Sequence, residues 1–195
     1  MSVVAYPLNN TDYTAEDAMI FNCTRTSGVY ANTDHFAVEI TGDREVTIGT
    51  GVAWMNYAKL KGISVAVKAP EALSVAISDA SLARIDTVVL GFKAAENAAS
   101  LYIKQGTPAS SPVRPALSKT ESVYELGLYD ILVAAGAAAI SAGNITDTRE
   151  ESARCGIMGS GLTDLDKLAT MEYVDQTMGD IAAAMAAVTS SLNAL

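Results

Sequence analysis

Phe36-Ala37-Val38-Glu39-Ile40 alternates apolar and polar residues, Thr41-Gly42-Asp43 interrupts with turn-forming chemistry, and Glu45-Val46-Thr47-Ile48 alternates again. A period of two puts every second side chain on one face of an extended backbone, so this stretch reads as two strands joined by a tight turn. The pattern spreads downstream. Gly49-Thr50-Gly51 leads into Val52-Ala53-Trp54, and Ile63-Ser64-Val65-Ala66-Val67 and Leu73-Ser74-Val75-Ala76-Ile77 alternate. Asp86 to Phe92 reads as a buried strand, Ser100 to Lys104 as another, and Tyr124 to Val133 as the last. Between them, Gly106 to Pro115 holds three prolines and two serines, the composition of a long loop. Many short strands at roughly ten-residue spacing, separated by Gly, Pro and Asp, predict a mainly β domain built as an antiparallel sandwich or barrel-like fold.

Upstream of the strands a short helix is expected. Thr14 is a suitable N-cap, Glu16 and Asp17 fall in the first turn near the positive end of the helix dipole, and Gly28 lies past the end. Downstream, after about Gly161, the period changes to three and a half. Met171, Val174, Met178, Ile181, Met185, Val188, Leu192 and Leu195 follow a 3-4-3-4-3-4-3 spacing. This is the spacing that keeps an apolar seam on one face of a left-handed supercoil. With Met171 at position a, the a set is Met, Met, Met, Leu and the d set is Val, Ile, Val, Leu. Unbranched or γ-branched residues at a with β-branched residues at d disfavour a parallel dimer and turn the preference to higher states. Small residues flank the seam at Ala182, Ala184, Thr189 and Ser191, and no Lys or Arg follows Lys167 to set a partner by charge. A homotrimeric coiled coil is the expectation, on a helix of about 25 residues, or roughly 37 Å. The predicted division is residues 1–160 as a β-rich domain and 161–195 as linker and coiled-coil helix.

The 195 residues are 50% hydrophobic, enough for a core, and carry thirteen Lys and Arg against twenty-two Asp and Glu. A net charge of −9 repels phosphate backbones and anionic lipid, so nucleic-acid and membrane partners are not expected. The N-terminal residues lack a basic region followed by a long apolar one, so no signal peptide is read, and the longest apolar run, Ile131 to Ile140, is about half what a bilayer needs. Cys23 and Cys155 stand far apart and read as two buried free thiols.

Catalytic chemistry is scarce in the sequence. His35 is the single histidine, expected on a loop or strand edge, and with two distant cysteines it cannot build a zinc site. Gly159-Ser160-Gly161 lacks the spacing of a nucleophile elbow. Acidic groups such as Asp12, Glu16 and Asp17, or Glu150 and Glu151, are explained by helix-end charge and solvated turns, so no acid/base pair for a hydrolase can be nominated. Arg84-Ile85-Asp86 and Asp147-Thr148-Arg149 read as ion pairs of turns or sheet edges. No enzyme, metal, cofactor or small-molecule ligand is expected. The alternative to a structural role is glycan binding, with Trp54 and Tyr57, and with them Tyr30, stacking on sugar; a lone Trp in a β domain is more often core.

Several stretches, in order, carry a resemblance. They are Tyr13-Thr14-Ala15-Glu16-Asp17, Ser27-Gly28-Val29-Tyr30, Val46-Thr47-Ile48-Gly49-Thr50-Gly51-Val52-Ala53-Trp54, Arg84-Ile85-Asp86-Thr87-Val88-Val89-Leu90 and Leu101-Tyr102-Ile103-Lys104-Gln105-Gly106-Thr107-Pro108, then Tyr124-Glu125-Leu126, Ile145-Thr146-Asp147-Thr148-Arg149 and Cys155-Gly156. Together they resemble the N-terminal domain of tail and baseplate structural proteins of phages of Gram-positive bacteria, including upper-baseplate and receptor-binding-protein relatives. Separately, Ala169-Thr170-Met171-Glu172-Tyr173-Val174-Asp175 resembles the entry into tail-fibre coiled coils. The resemblance implies a virion protein made in the bacterial cytoplasm. Its N-terminal domain would dock on other tail or baseplate proteins of the virion, and its stalk would trimerise. Longer relatives carry a head after the stalk, whereas this chain ends at Leu195, which turns the expectation toward a connector, adaptor or short fibre.

Overall fold

The computed structural model describes residues 12–159 and 178–186, together with Thr189. The chain divides into two compact units, Met1–Ser160 and Gly161–Leu195. The first is mainly β, with one short helix before its strands. That helix, α1 (Ala15–Asn22), opens on a reciprocal cap. The Thr14 N–H donates to the Asp17 carboxylate at 2.9 Å, and the Asp17 N–H donates to the Thr14 hydroxyl at 3.3 Å. Donors that a first turn leaves without partners are thereby satisfied, and the Thr14 N–H and hydroxyl, both donating to the Asp17 carboxylate, hold it below its ordinary range.

The strands are β1 (Gly28–Val29), β2 (Val38–Gly42), β3 (Glu45–Ile48), β4 (Gly51–Ala58), β5 (Lys61–Val67), β6 (Glu71–Ser74), β7 (Arg84–Lys93), β8 (Ala98–Lys104), β9 (Val123–Val133) and β10 (Ile145–Asp147). They form three antiparallel sheets in the orders β1-β4-β5, β2-β3-β6 and β10-β9-β7-β8. A single core cluster draws on all three, from Ala53 and Met55 through Val46 and Ile48 to Val88, Leu90, Leu126 and Leu128. β7 and β9 are buried along almost their whole length because both faces are covered. Their second face lies under the loop of residues 105–122: Ser118 N–H bonds to Glu125, and Arg154 bonds to the Pro115 carbonyl. β6 lies beside β8, so the second and third sheets adjoin there, and α1 packs on β5.

Three sequence expectations change. The alternation from Leu73 to Ile77 gives a strand only to Ser74, because the Ala76 and Ile77 carbonyls turn to the Arg84 guanidinium at 2.7 and 2.8 Å. Tyr124 to Val133 is not the last strand, since β10 follows and pairs Ile145 with Ile131. Cys155 is buried and Cys23 only half-buried; both are free.

The edge of β1 is closed by the segment of residues 156–159, running parallel to it. The Val29 N–H donates to the Gly156 carbonyl at 3.0 Å, and the Met158 N–H donates to the Val29 carbonyl at 2.7 Å. Gly28 makes this approach possible: its φ is +151°, and a Cβ there would stand 2.2 Å from the Gly156 oxygen. In the second unit a helix, α2, covers residues 178–186. It is shorter than the helix of about 25 residues expected from the heptads, whose remaining residues, apart from Thr189, lie outside the described ones.

Candidate functional site

Three members of the apolar seam fall on α2. Met178, Ile181 and Met185 recur at the three- and four-residue steps that share one helix face, and they are 63%, 51% and 67% exposed. Ile181, Ala184, Met185 and Thr189 line a shallow apolar hollow of about 330 Å³. The Thr189 hydroxyl donates back to the Met185 carbonyl at 2.9 Å. Met171, Val174, Val188, Leu192 and Leu195 lie outside the described residues.

The aromatic residues named for glycan contact sit differently. Trp54 is 4% exposed, its Nε1 donates to Asn56 Oδ1 at 2.7 Å, and the Arg25 guanidinium lies 5.6 Å from its ring centre. The backbone of β5 presses on the same ring, since a Cβ on Gly62 would come within 2.4 Å of it. Tyr57 is half-buried, tilted on Phe92 at 4.9 Å, with its hydroxyl donating to Met19 Sδ at 3.6 Å. Tyr30 is the aromatic with an open face, 59% exposed and 5.1 Å from the His35 ring. With Arg25, His35, Val52 and Met158 it lines a hollow of about 490 Å³. His35 Nδ1 accepts the Val52 N–H at 2.9 Å, which fixes the ring against β4.

The buried charges form latches between elements. Arg84 and Asp86, read from sequence as a turn or edge pair, are 1% and 0% exposed on β7, an inner strand. Arg84 Nε meets Asp86 Oδ1 at 2.9 Å, and that same oxygen accepts the Gly106 N–H at 2.9 Å. Two positions apart on a strand, the side chains share a face, and the surrounding carbonyls satisfy the rest of the guanidinium. Glu125 receives the Tyr102 hydroxyl at 2.5 Å, Lys104 Nζ at 2.7 Å and the Ser118 N–H at 2.6 Å. Burial alone would raise the Glu125 pKa, but these donors hold it below the ordinary value. Asp130 takes Arg154 at 2.7 Å, Arg114 at 2.9 Å and the Thr87 hydroxyl at 2.6 Å. Each of these carboxylates is spent on partners that fasten the loop of residues 105–122 or the turn before β7, which is the work of a brace. Cys155 is pushed up to about 12 by burial, so its thiolate is scarce at neutral pH. Among the described residues no group of three or more His, Cys, Asp or Glu is placed to hold a metal ion, and no helix is long and apolar enough to cross a membrane.

The largest of these concavities opens between two sheet edges. Ala37, Val38, Glu39 and Ile40 line one wall, Ala142, Ile145, Asp147 and Arg149 the other, and Tyr129 belongs to its lining; it holds about 610 Å³. Arg149 lies over the Tyr129 ring at 4.9 Å and pairs with Asp147 at 2.5 Å. Burial pushes the Asp147 carboxyl up, but Arg149 draws it below the ordinary value. The Asp147-Thr148-Arg149 pair was legible in the sequence. The groove was not, because it follows from strand order.

No family model matches the chain, and neither a curated protein nor a solved structure matches it.

Proposed function

We propose that the chain is a non-enzymatic phage tail or baseplate structural protein, a connector, adaptor or short fibre. A barrel-like β domain docks on other virion proteins, and the C-terminal helices join as a parallel trimer. One observation carries the self-association: the seam residues Met178, Ile181 and Met185 of α2 are each more than half exposed on a single apolar face. Such a face in water favours a partner of the same kind, and the unbroken heptad spacing on either side extends it. The ordered set of motifs from Tyr13 to Gly156 supports the virion assignment. Three weak docking contacts joined by one bundle hold far more firmly than one alone.

Light scattering on a sizing column tests this with the full chain and a version ending at Gly161. A full-length mass near three times 20.3 kDa, falling to a monomer on truncation, supports the reading. A full chain that stays monomeric at micromolar concentration overturns the trimer.

A second reading, a glycan-binding module, is favoured by the open ring of Tyr30 beside Arg25 and His35. Binding to host cell walls that vanishes in Tyr30→Ala, with folding intact, supports it, and binding unaffected by that change removes it.

A further inference from the structure

Followed around the domain, β10-β9-β7-β8 and then β6-β3-β2 make a succession of strands, with β6 lying beside β8 and the groove separating β2 from β10. The edge of β1 is covered by the segment of residues 156–159, and α1 packs against β5. The open seam is pinned at both ends. At one end the Tyr129 hydroxyl donates to the Phe36 carbonyl at 2.9 Å, and Arg149 Nη1 donates to the His35 carbonyl at 2.6 Å. At the other, the Ile140 N–H donates to the Asp43 carbonyl at 2.8 Å. Two long side chains bridge the first end, whereas backbone meets backbone at the second, so the seam is a wedge that widens toward Tyr129. Between the pins, among the described residues, β2 pairs with β3 on one side and with no strand on the other.

The geometry points to a strand-addition site: a short extended segment of another protein, apolar at alternate positions and flanked by Lys or Arg, pairs along the free edge of β2 within this groove. Apart from the Val38 N–H, which the Tyr129 hydroxyl already accepts, the edge supplies backbone donors and acceptors, and the groove supplies apolar cover from Val38, Ile40, Ile145 and Tyr129. With the Ala37 carbonyl taken by the Gly49 N–H, the span from Val38 to Ile40 accepts about three residues, roughly 10 Å of strand. Charge selects the occupant. Among the described residues Glu39 is exposed and makes no ion pair, whereas Asp147, its side chain 46% exposed, is paired with Arg149, so the uncompensated charge of this wall is that of Glu39. The groove's cation, Arg149, is already engaged by Asp147 and the His35 carbonyl. On a chain of net charge −9 this wall attracts a cationic strand and repels an acidic one. The β-bulge between Ile40 and Gly42 ends the free edge and limits the length of the guest.

The test is an amide-resonance titration of the full chain with the capped peptide Lys-Val-Thr-Val-Lys, beside Glu-Val-Thr-Val-Glu and Lys-Val-Pro-Val-Lys. The expected result is saturable shifts confined to residues 37–42 and 145–149, at least about tenfold weaker binding of the acidic peptide, and none of the prolyl peptide, which lacks the central backbone donor. Glu39→Lys, an exposed change on an edge, weakens the cationic peptide and leaves the dispersed spectrum intact. The proposal fails if the cationic peptide gives no saturable shift or if the prolyl peptide binds equally. It also fails if it is a second copy of the chain, or this chain's own residues 2–9, that protects the β2 amides without peptide, the latter seen as binding that appears only when those residues are deleted.

Discussion

Replacing Asp86 by alanine would strip the counter-charge from a guanidinium that is 1% exposed. Arg84 would keep its bonds to the Ile77 and Ala76 carbonyls at 2.8 and 2.7 Å, but Nε would lose its partner and the Gly106 N–H its acceptor. Removing one member of a buried pair costs about 3–5 kcal/mol, because the other charge stays desolvated. At about 2–4 °C per kcal/mol for a chain of this size, the melting temperature falls by roughly 6–20 °C. A substantial share of an ordinary folding free energy of about 5–15 kcal/mol goes with it. Urea unfolding followed by the fluorescence of Trp54, the single tryptophan and a core residue, reads the change directly. Arg84→Met combined with Asp86→Leu should cost less than the sum of its two single changes by about 1–3 kcal/mol, the signature of coupled partners. A loss below about 1 kcal/mol for Asp86→Ala, or strict additivity in the cycle, would refute the view that this pair braces the domain.

Glu125→Gln lowers stability at neutral pH by about 1–3 kcal/mol, since a charged acceptor of three donors becomes a neutral one. In the fold that carboxyl titrates below its ordinary value of 4.5, so its contribution is complete above that pH and disappears as pH falls through the lower, folded value. Thermal melts should therefore draw the two proteins together as the pH is lowered below 4.5. With an aromatic disulfide reagent near pH 8, about one thiol per chain, Cys23, reacts in the native protein, and the buried Cys155 reacts only after denaturant is added. Equal rates for both thiols would contradict its burial. Ile181→Asp places a charge in the seam of α2, so the mass in solution drops to that of one chain while the melting of the β domain is unchanged. A trimer that survives this change is held by something other than the seam.

Much of the β domain was legible because alternation is a local property. β3, β5, β8 and β9 fall where the period of two placed them, and α1 begins at the cap that Thr14 and Asp17 spell out. β1 and β10, two and three residues long, are too short to carry a period and exist because longer neighbours pair with them. The strand expected to reach Ile77 stops early for a reason outside its own residues, the arginine at position 84. Burial of that arginine was equally hidden, since an Arg-x-Asp triplet looks the same at a solvated turn and on an inner strand. Among the candidate sites, Trp54 announced itself as the lone tryptophan but not which way its ring faced. The seam between β2 and β10 depends on the order of strands, which no single stretch of sequence contains.

The clamp on β1 also bears on load. The Thr26 N–H donates to the Gly159 carbonyl at 3.2 Å and the Gly159 N–H donates to the Thr26 hydroxyl at 2.7 Å, in addition to the bonds that Val29 makes with residues 156 and 158. Tension arriving at Gly159 is therefore shared between two separate attachments, at Thr26 and at Val29, and passes from β1 into its partner β4.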